Sequence, residues 1–324
     1  MQKPLSKLRM DVSKFESVST LIFARLTEPL TFDVYLQLSD DKFTKIFHKD
    51  SSIDSVRLEN YVLRGITYFY ILKEEREEFM RTTSKLLERY AKAHDFIKEE
   101  AQHILDETSE KVLAEIMAQT KLSKENLKHS KIVIQSYVEI TSTHSEALPN
   151  LLRLAKTKKN ILRHSIMTSI FSTLLARGLR PEDDKFSFNA GLAAFLHDIG
   201  MTLSSDDLNE HNKKLTGELK RIVHEHPKES VRILKDASLE DDVRLAILYH
   251  HENWDGTGYP SGIKKRDIPI LARVLAVADN FSSLINSTSE SPSLSPQMAF
   301  AALQKSGKLD PEVCMVFGKI LNLG

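Results

Sequence analysis

From Lys73 to Leu148 the chain contains neither glycine nor proline. Nothing in such a stretch forces a helix to stop, and apolar or small residues recur at Leu86, Tyr90, Ala93, Ile97, Ala101 and Ile104, in the three-and-four spacing of one helical face. It reads as a long amphipathic helical connector whose stripe must be covered, either by the same chain or by a second copy in a parallel homodimer coil. Glycine also divides the chain: Gly65 is the only one before Gly178, and the other ten lie from Gly178 to Gly324. Before the connector, Phe32, Val34, Leu36 and Leu38 alternate with Asp33, Tyr35 and Gln37, and a second apolar stretch runs from Ile66 to Leu72, both strand-like. After Pro149 the pattern is of helices joined by loops that carry Gly and Pro. The expected class is α+β overall. A small β-containing regulatory domain occupies 1–75, the helical connector 76–148, and an all-α helical bundle 149–324.

Charge and cysteine usage narrow the function classes. With 45 Lys+Arg against 45 Asp+Glu, the chain is not built to blanket a nucleic acid polymer or an anionic membrane with positive charge. The single cysteine, Cys314, excludes an intramolecular disulfide framework and a multi-cysteine zinc site, and suits a reducing compartment. The opening segment MQKPLSKLRMDVSKFES lacks the apolar core of a signal peptide, and apolar segments such as Gly191 to Leu196 and Val274 to Ala278 are far short of a membrane span. The expected location is cytoplasmic, with no membrane partner.

Seven of the twelve histidines fall between His164 and His251, and their positions matter more than their number. His197 and Asp198 end an apolar, small-residue run from Ala190 to Gly200; His250 and His251 end a helix that starts near Glu240. Asp279 lies within Val274-Leu-Ala-Val-Ala-Asp-Asn-Phe281, where its neighbours would bury it and an unpaired carboxylate would cost several kcal/mol. His164 lies in a helical run from Leu151 to Arg177, with Gly178 as its expected C-terminal cap. Taken singly, each has a plain structural reading: a hydrogen-bonded core histidine, a helix cap, or Asp279 paired with Arg273. Together, His164, His197, Asp198, His226, His250, His251 and Asp279 form a set of imidazoles and carboxylates without thiolate, which suits iron, manganese or zinc. A shared carboxylate allows two metals, and a metal pair suits phosphodiester hydrolysis.

In order and spacing, His164, His197-Asp198-Ile-Gly-Met201, His226-Pro227, His250-His251-Glu-Asn-Trp-Asp-Gly-Thr-Gly-Tyr-Pro260 and Ala272-Arg-Val-Leu-Ala-Val-Ala-Asp279 resemble the HD-GYP family of bacterial cyclic-di-GMP phosphodiesterases. The likeness covers about residues 150 to 290. It implies an HD-type helical bundle in which the seven residues hold two transition-metal ions, often iron, with Asp198 bridging them as the catalytic carboxylate. His226 is preferred to His224 because it precedes Pro227 and the downstream Ile233-Leu234. It further implies that a metal-acidified water attacks phosphorus without a protein nucleophile, and that the substrate is a cyclic dinucleotide. Trp254 and Tyr259 are candidates to contact a guanine, and Lys264, Lys265 and Arg266 to approach phosphate; packing anchors and a solvated charge run are the plain alternatives.

Three departures from the family pattern bear on activity. Asn160 stands where many members carry a Glu that can ligate a third metal; Met201 stands where His-Asp-x-Gly-Lys would supply a cation; and Asn-Phe-Ser-Ser-Leu-Ile follows Asp279 in place of Arg-Pro-Tyr. They leave two readings: a cyclic-dinucleotide phosphodiesterase with an N-terminal regulatory domain and signalling partners, or a degenerate relative that keeps its metals and acts as a nucleotide sensor or protein-interaction module.

Overall fold

The computed structural model describes residues 11–93, 99–119, 121–143, 161–204, 217–286 and 293–323. It divides into two compact units, Met1–Lys111 and Val112–Gly324. The chain is α+β, with one small antiparallel sheet and otherwise helices among the described residues.

The first unit contains β1 (Phe15–Ser19), α1 (Thr20–Phe23), β2 (Val34–Ser39), β3 (Lys42–Phe47), α2 (Ser55–Leu63), β4 (Tyr68–Leu72), α3 (Arg76–Lys92) and the first turns of α4 (Glu99–Met117). The sheet order is β1-β4-β2-β3, with Phe15 opposite Leu72 and Val18 opposite Phe69. One set of side chains gathers Phe15, Tyr35 and Phe43, the Phe15 and Phe43 rings stacked 3.9 Å apart. Another gathers Phe23, Phe32, Phe69 and Phe79 edge to face, which fixes α3 to the sheet's unit. The simple alternation expected in β2 does not hold: Val34 and Tyr35 are both buried and Leu38 is exposed. A register shift between Val34 and Tyr35 explains it, because an irregularity there re-aims successive side chains. The strand-like reading of 30–72 also missed α2, which Asp54 caps by accepting from the Arg57 N–H at 3.1 Å and Gly65 closes with φ +80°.

The glycine-free stretch is several helices rather than one. α4 and α5 (Lys124–Thr143) are separate, and the break is marked by Ser123, whose hydroxyl accepts from the Asn126 N–H at 3.0 Å. Leu86, Ala101 and Ile104 of the stripe are buried within the chain, so covering them needs no second copy, while Ala93 is exposed. Ile97 lies outside the described residues. The two units meet in sequence inside α4, whereas the sequence suggested boundaries near 75 and 148. α3 and early α4 are tied to the sheet through Phe79 and through Glu107, which accepts from the Ser19 N–H at 3.0 Å.

The second unit contains α5, α6 (Ile161–Leu179), α7 (Asp184–Leu196), α8 (Gly217–Ile233), α9 (Asp241–Tyr249), α10 (Ile270–Ile285), α11 (Pro296–Ser306) and α12 (Pro311–Ile320). α6 and α7 approach closely because Gly191 has no side chain: a Cβ there would lie 2.3 Å from Thr173 Oγ1. Phe171, Phe281 and Phe317 bring α6, α10 and α12 together at centroid spacings of 4.9 to 5.8 Å. Gly178 lies inside α6 and does not cap it; a Cβ there would meet the Ile320 side chain at 2.4 Å, so this glycine serves the α6–α12 contact. No described helix is long and apolar enough to cross a membrane.

Candidate metal centre

Three of the histidines sit where a helix leaves a carbonyl without its usual donor. His197 follows the last residue of α7 and His250 the last of α9, and the final four carbonyls of a helix lack intrahelical partners. His197 Nδ1 lies 2.6 Å from the Ala194 carbonyl, and His250 Nδ1 lies 2.7 Å from that of Ile247. His226 lies inside α8, but Pro227 has no N–H to offer the carbonyl four residues back. That carbonyl, of Val223, is 2.6 Å from His226 Nδ1. A carbonyl only accepts, so Nδ1 carries the proton in each neutral ring and Nε2 is left as a bare lone pair.

The lone pairs converge. His226 Nε2 and His250 Nε2 stand 3.3 Å apart. Asp198 divides its two oxygens: Oδ2 is 3.1 Å from His197 Nε2 and 3.9 Å from His164 Nε2, while Oδ1 is 3.3 Å from His226 Nε2. Asp279 Oδ1 is 2.8 Å from His164 Nε2. Donor atoms of His164, His197 and Asp279 lie within 4.8 Å of one another, as do those of His226, His250 and His251, and those of His197, Asp198 and His250. Acceptors facing acceptors repel unless a cation lies between them, so this imidazole and carboxylate set fits a transition metal.

Electrostatics agree with that fit. Burial raises both Asp198 and Asp279, but the surrounding imidazoles, His197 foremost for Asp198 and His164 for Asp279, hold both carboxyls below the usual range. Burial keeps His226 and His250 below their ordinary value and brings His251 to about 4, so these rings are neutral and ready to ligate. His197 differs: burial opposes its charge, yet Asp198 pushes it up to about 9.

Several residues that the sequence did not single out hold this arrangement. Ser230 Oγ donates to the His197 carbonyl at 2.6 Å and accepts from the Gly200 N–H at 2.9 Å, tying α8 to the turn after α7. Gly200 is needed there, since a Cβ would lie 2.4 Å from the His226 carbonyl oxygen. The buried Glu252 accepts from the N–H groups of Ser261 and Gly262 through one oxygen, at 2.6 and 3.0 Å, fixing the Gly-Tyr-Pro loop beneath the histidines. A buried acid directly after His250-His251 was the available signal.

The remaining candidates are more dispersed. Tyr259 lies 4.8 Å from His251, ring to ring. Trp254 packs near the Arg273 guanidinium, 5.9 Å from ring centre, and its N–H donates to the Lys308 carbonyl at 2.7 Å. Lys264, Lys265 and Arg266 are exposed, with Arg266 paired to Glu312 at 3.2 Å. Arg273 pairs with Asp310 at 2.6 Å and not with Asp279, which removes the plain ion-pair reading of Asp279. Met201 closes the turn after Asp198, its N–H donating to the Asp198 carbonyl at 2.9 Å; Asn160 lies outside the described residues.

This geometry coincides with a known family. Residues 153–313 match the HD domain family. Just under half of the chain thus matches as an HD domain. It is 31% identical over 200 residues to a cyclic di-GMP phosphodiesterase of Pseudomonas aeruginosa, covering 60% of this chain and 47% of that protein. It is 38% identical over 136 residues to a cyclic di-GMP phosphodiesterase of Thermotoga maritima, covering 40% and 36%. The chain thus spans less than half the length of these relatives. Bd1817, an HDGYP protein from Bdellovibrio bacteriovorus, shares its fold over 95% of this chain and 99% of that one, with a TM-score of 0.66 at 21% identity. That likeness extends the fold into the N-terminal half.

Proposed function

We propose that the protein hydrolyses a cyclic dinucleotide phosphodiester, cyclic di-GMP first among them, with two transition-metal ions at the histidine cluster. His164, His197 and Asp279 would hold one ion and His226, His250 and His251 the other, with Asp198 available to both sets. The observation that carries this reading is Asp198, whose two oxygens face different histidine sets at 3.1 and 3.3 Å. Iron suits the donor set, as do manganese and zinc. The chemistry such a pair supplies when bound is acidification of a water and neutralisation of charge on phosphoryl oxygens. The chain's own part is orientation. The Ala194, Val223 and Ile247 carbonyls fix three rings, and Glu252 holds the loop that carries Tyr259 against them. Trp254 and the Lys264-Lys265-Arg266 run remain the substrate contacts of this reading, while the Tyr259 ring lies against His251.

A second reading, a nucleotide sensor that keeps its metals, is favoured by Met201 and by the uncharged residues from Asn280 to Asn286 after Asp279. Metal analysis of the purified chain combined with a cyclic di-GMP turnover assay separates the two. About two transition-metal ions per chain and measurable turnover are expected. Two ions without turnover select the sensor, and absence of metal overturns both.

A further inference from the structure

We infer that His224, which takes no part in the metal set, is the ring on which a base of the dinucleotide stacks; this rests on the cyclic-dinucleotide reading above and names a specificity residue within it. The rings at the centre form a ladder. His250 and His251 lie 4.0 Å apart between centroids, His251 and Tyr259 4.8 Å at 32°, and Tyr259 and His224 4.2 Å at 24°. Exposure rises along it: His250 is buried, His251 and Tyr259 are half-buried, and His224 is exposed.

Tyr259 therefore has His224 stacked on its ring and His251 tilted against it, which leaves it less free than His224 to take a base. Its hydroxyl, 3.5 Å from the Val223 carbonyl, ties it to the same turn of α8 that carries His224. The exposed ring of the stack is that of His224, which follows Tyr259 on the side away from the buried histidines. Every base presents a π-face, so such a platform recognises a nucleobase by stacking and needs no charge. Tyr259 then acts as a positioning residue, holding His224 in the stack.

The test compares full-length, metal-loaded wild type with His224→Ala and His224→Phe. Dissociation constants for cyclic di-GMP, taken by rapid mixing before turnover, are set against those for inorganic phosphate, which carries no base. The expected result is that His224→Ala weakens cyclic di-GMP about tenfold, or about 1.4 kcal/mol, relative to phosphate, with metal content retained, and that His224→Phe restores it. Equal weakening of both ligands, no weakening, or failure of Phe to restore binding overturns the inference, as does wild type that binds no cyclic di-GMP. Because binding is read apart from turnover, a chain that binds through His224 yet hydrolyses nothing refutes the proposed hydrolysis and leaves the stacking role standing. A chain that hydrolyses the dinucleotide with His224→Ala binding unchanged does the reverse.

Discussion

In the first unit the buried Glu16 is answered by cations of its own chain, Arg76 at 2.6 Å through Nε and Lys111 at 2.7 Å. In the second, Asp198 and the buried Asp279 face imidazoles, and two of the neighbouring rings, His226 and His250, turn bare nitrogens toward each other at 3.3 Å. One cluster is closed by the sequence itself; the other is completed by something the sequence does not encode. The two differ in what each carboxylate is for: Glu16 holds β1 to α3 and α4, and Asp198 joins two histidine sets. Burial and charge alone would not separate them. The direction of the histidine lone pairs does.

The largest effects come from crossing the two. Asp198→Ala is expected to lose most of the metal and to reduce cyclic-dinucleotide hydrolysis by roughly a thousandfold or more, about 4 kcal/mol, with little change in the melting of the sheet unit. Glu16→Ala is expected to destabilise the first unit by about 1.5–3 kcal/mol, because it removes the carboxylate that Arg76 and Lys111 share, and to leave metal content intact. Metal analysis and denaturant unfolding on both variants check this. Full metal content in Asp198→Ala removes the bridge, and metal loss in Glu16→Ala breaks the distinction between the clusters.

The clusters should also answer pH in opposite directions. Burial pushes Glu107 from 4.5 to about 7, against the opposing influence of Lys111 and the Ser19 N–H. The folded chain thus holds this proton more tightly than the unfolded one. Its contribution is fully present below about pH 4.5 and is lost as pH rises through about 7, on the order of 3 kcal/mol. Glu107→Gln stays neutral and can still accept from Ser19, so the unfolding midpoint of the first unit should no longer fall between pH 5 and 8. Metal binding runs the other way. His226, His250 and His251 are held low and compete little with protons, but His197, up at about 9, must give up a proton to ligate. Affinity is expected to rise with pH until about 9, measured by competition with a chelator, and a flat profile would place His197 outside the donor set.

The seven residues of the proposed metal site were legible in the sequence because each is a titratable group within or at the end of a helical run, four of them, His197, Asp198, His250 and His251, at helix ends. What fixes their tautomers was not, since it depends on which carbonyl lacks a donor, and only Pro227 shows that in the sequence. The first unit was harder to read. Phe15–Ser19 is too short for its alternation to stand out, yet it lies on the sheet beside β4. Residues 55–63 were absorbed into a strand-like stretch although Asp54 was a usable cap signal. The break before α5 carries no Gly or Pro and rests on a serine cap, weaker punctuation than either residue gives.

Met201→Lys asks whether the second cluster also lacks a cation that the first one has. A lysine aimed at phosphoryl charge in a water-poor site contributes on the order of a hundredfold in rate, about 2.7 kcal/mol. Turnover of cyclic di-GMP is expected to rise by up to that amount at constant metal content, read as kcat with parallel metal analysis. Unchanged kcat would mean that the turn after Asp198 does not face the substrate.

The smallest effect tests a likeness between the clusters. Glu107 and Glu252 are both carboxylates that accept from backbone N–H groups, Ser19 in one case and Ser261 with Gly262 in the other. Glu252 does so through Oε1 alone, and its buried Oε2 has no hydrogen-bond partner among the described residues. Glu252→Gln keeps the accepting oxygen and places an amide where Oε2 stood, so it should change melting and KM by less than about 1 kcal/mol. Glu252→Ala removes the acceptor that the Ser261 and Gly262 N–H groups share and should cost about 1–3 kcal/mol in all. If Gln proves as costly as Ala, the negative charge and not the acceptor geometry holds the loop. Glu252 would then belong with Asp198 and Asp279 among the charges that a cation completes.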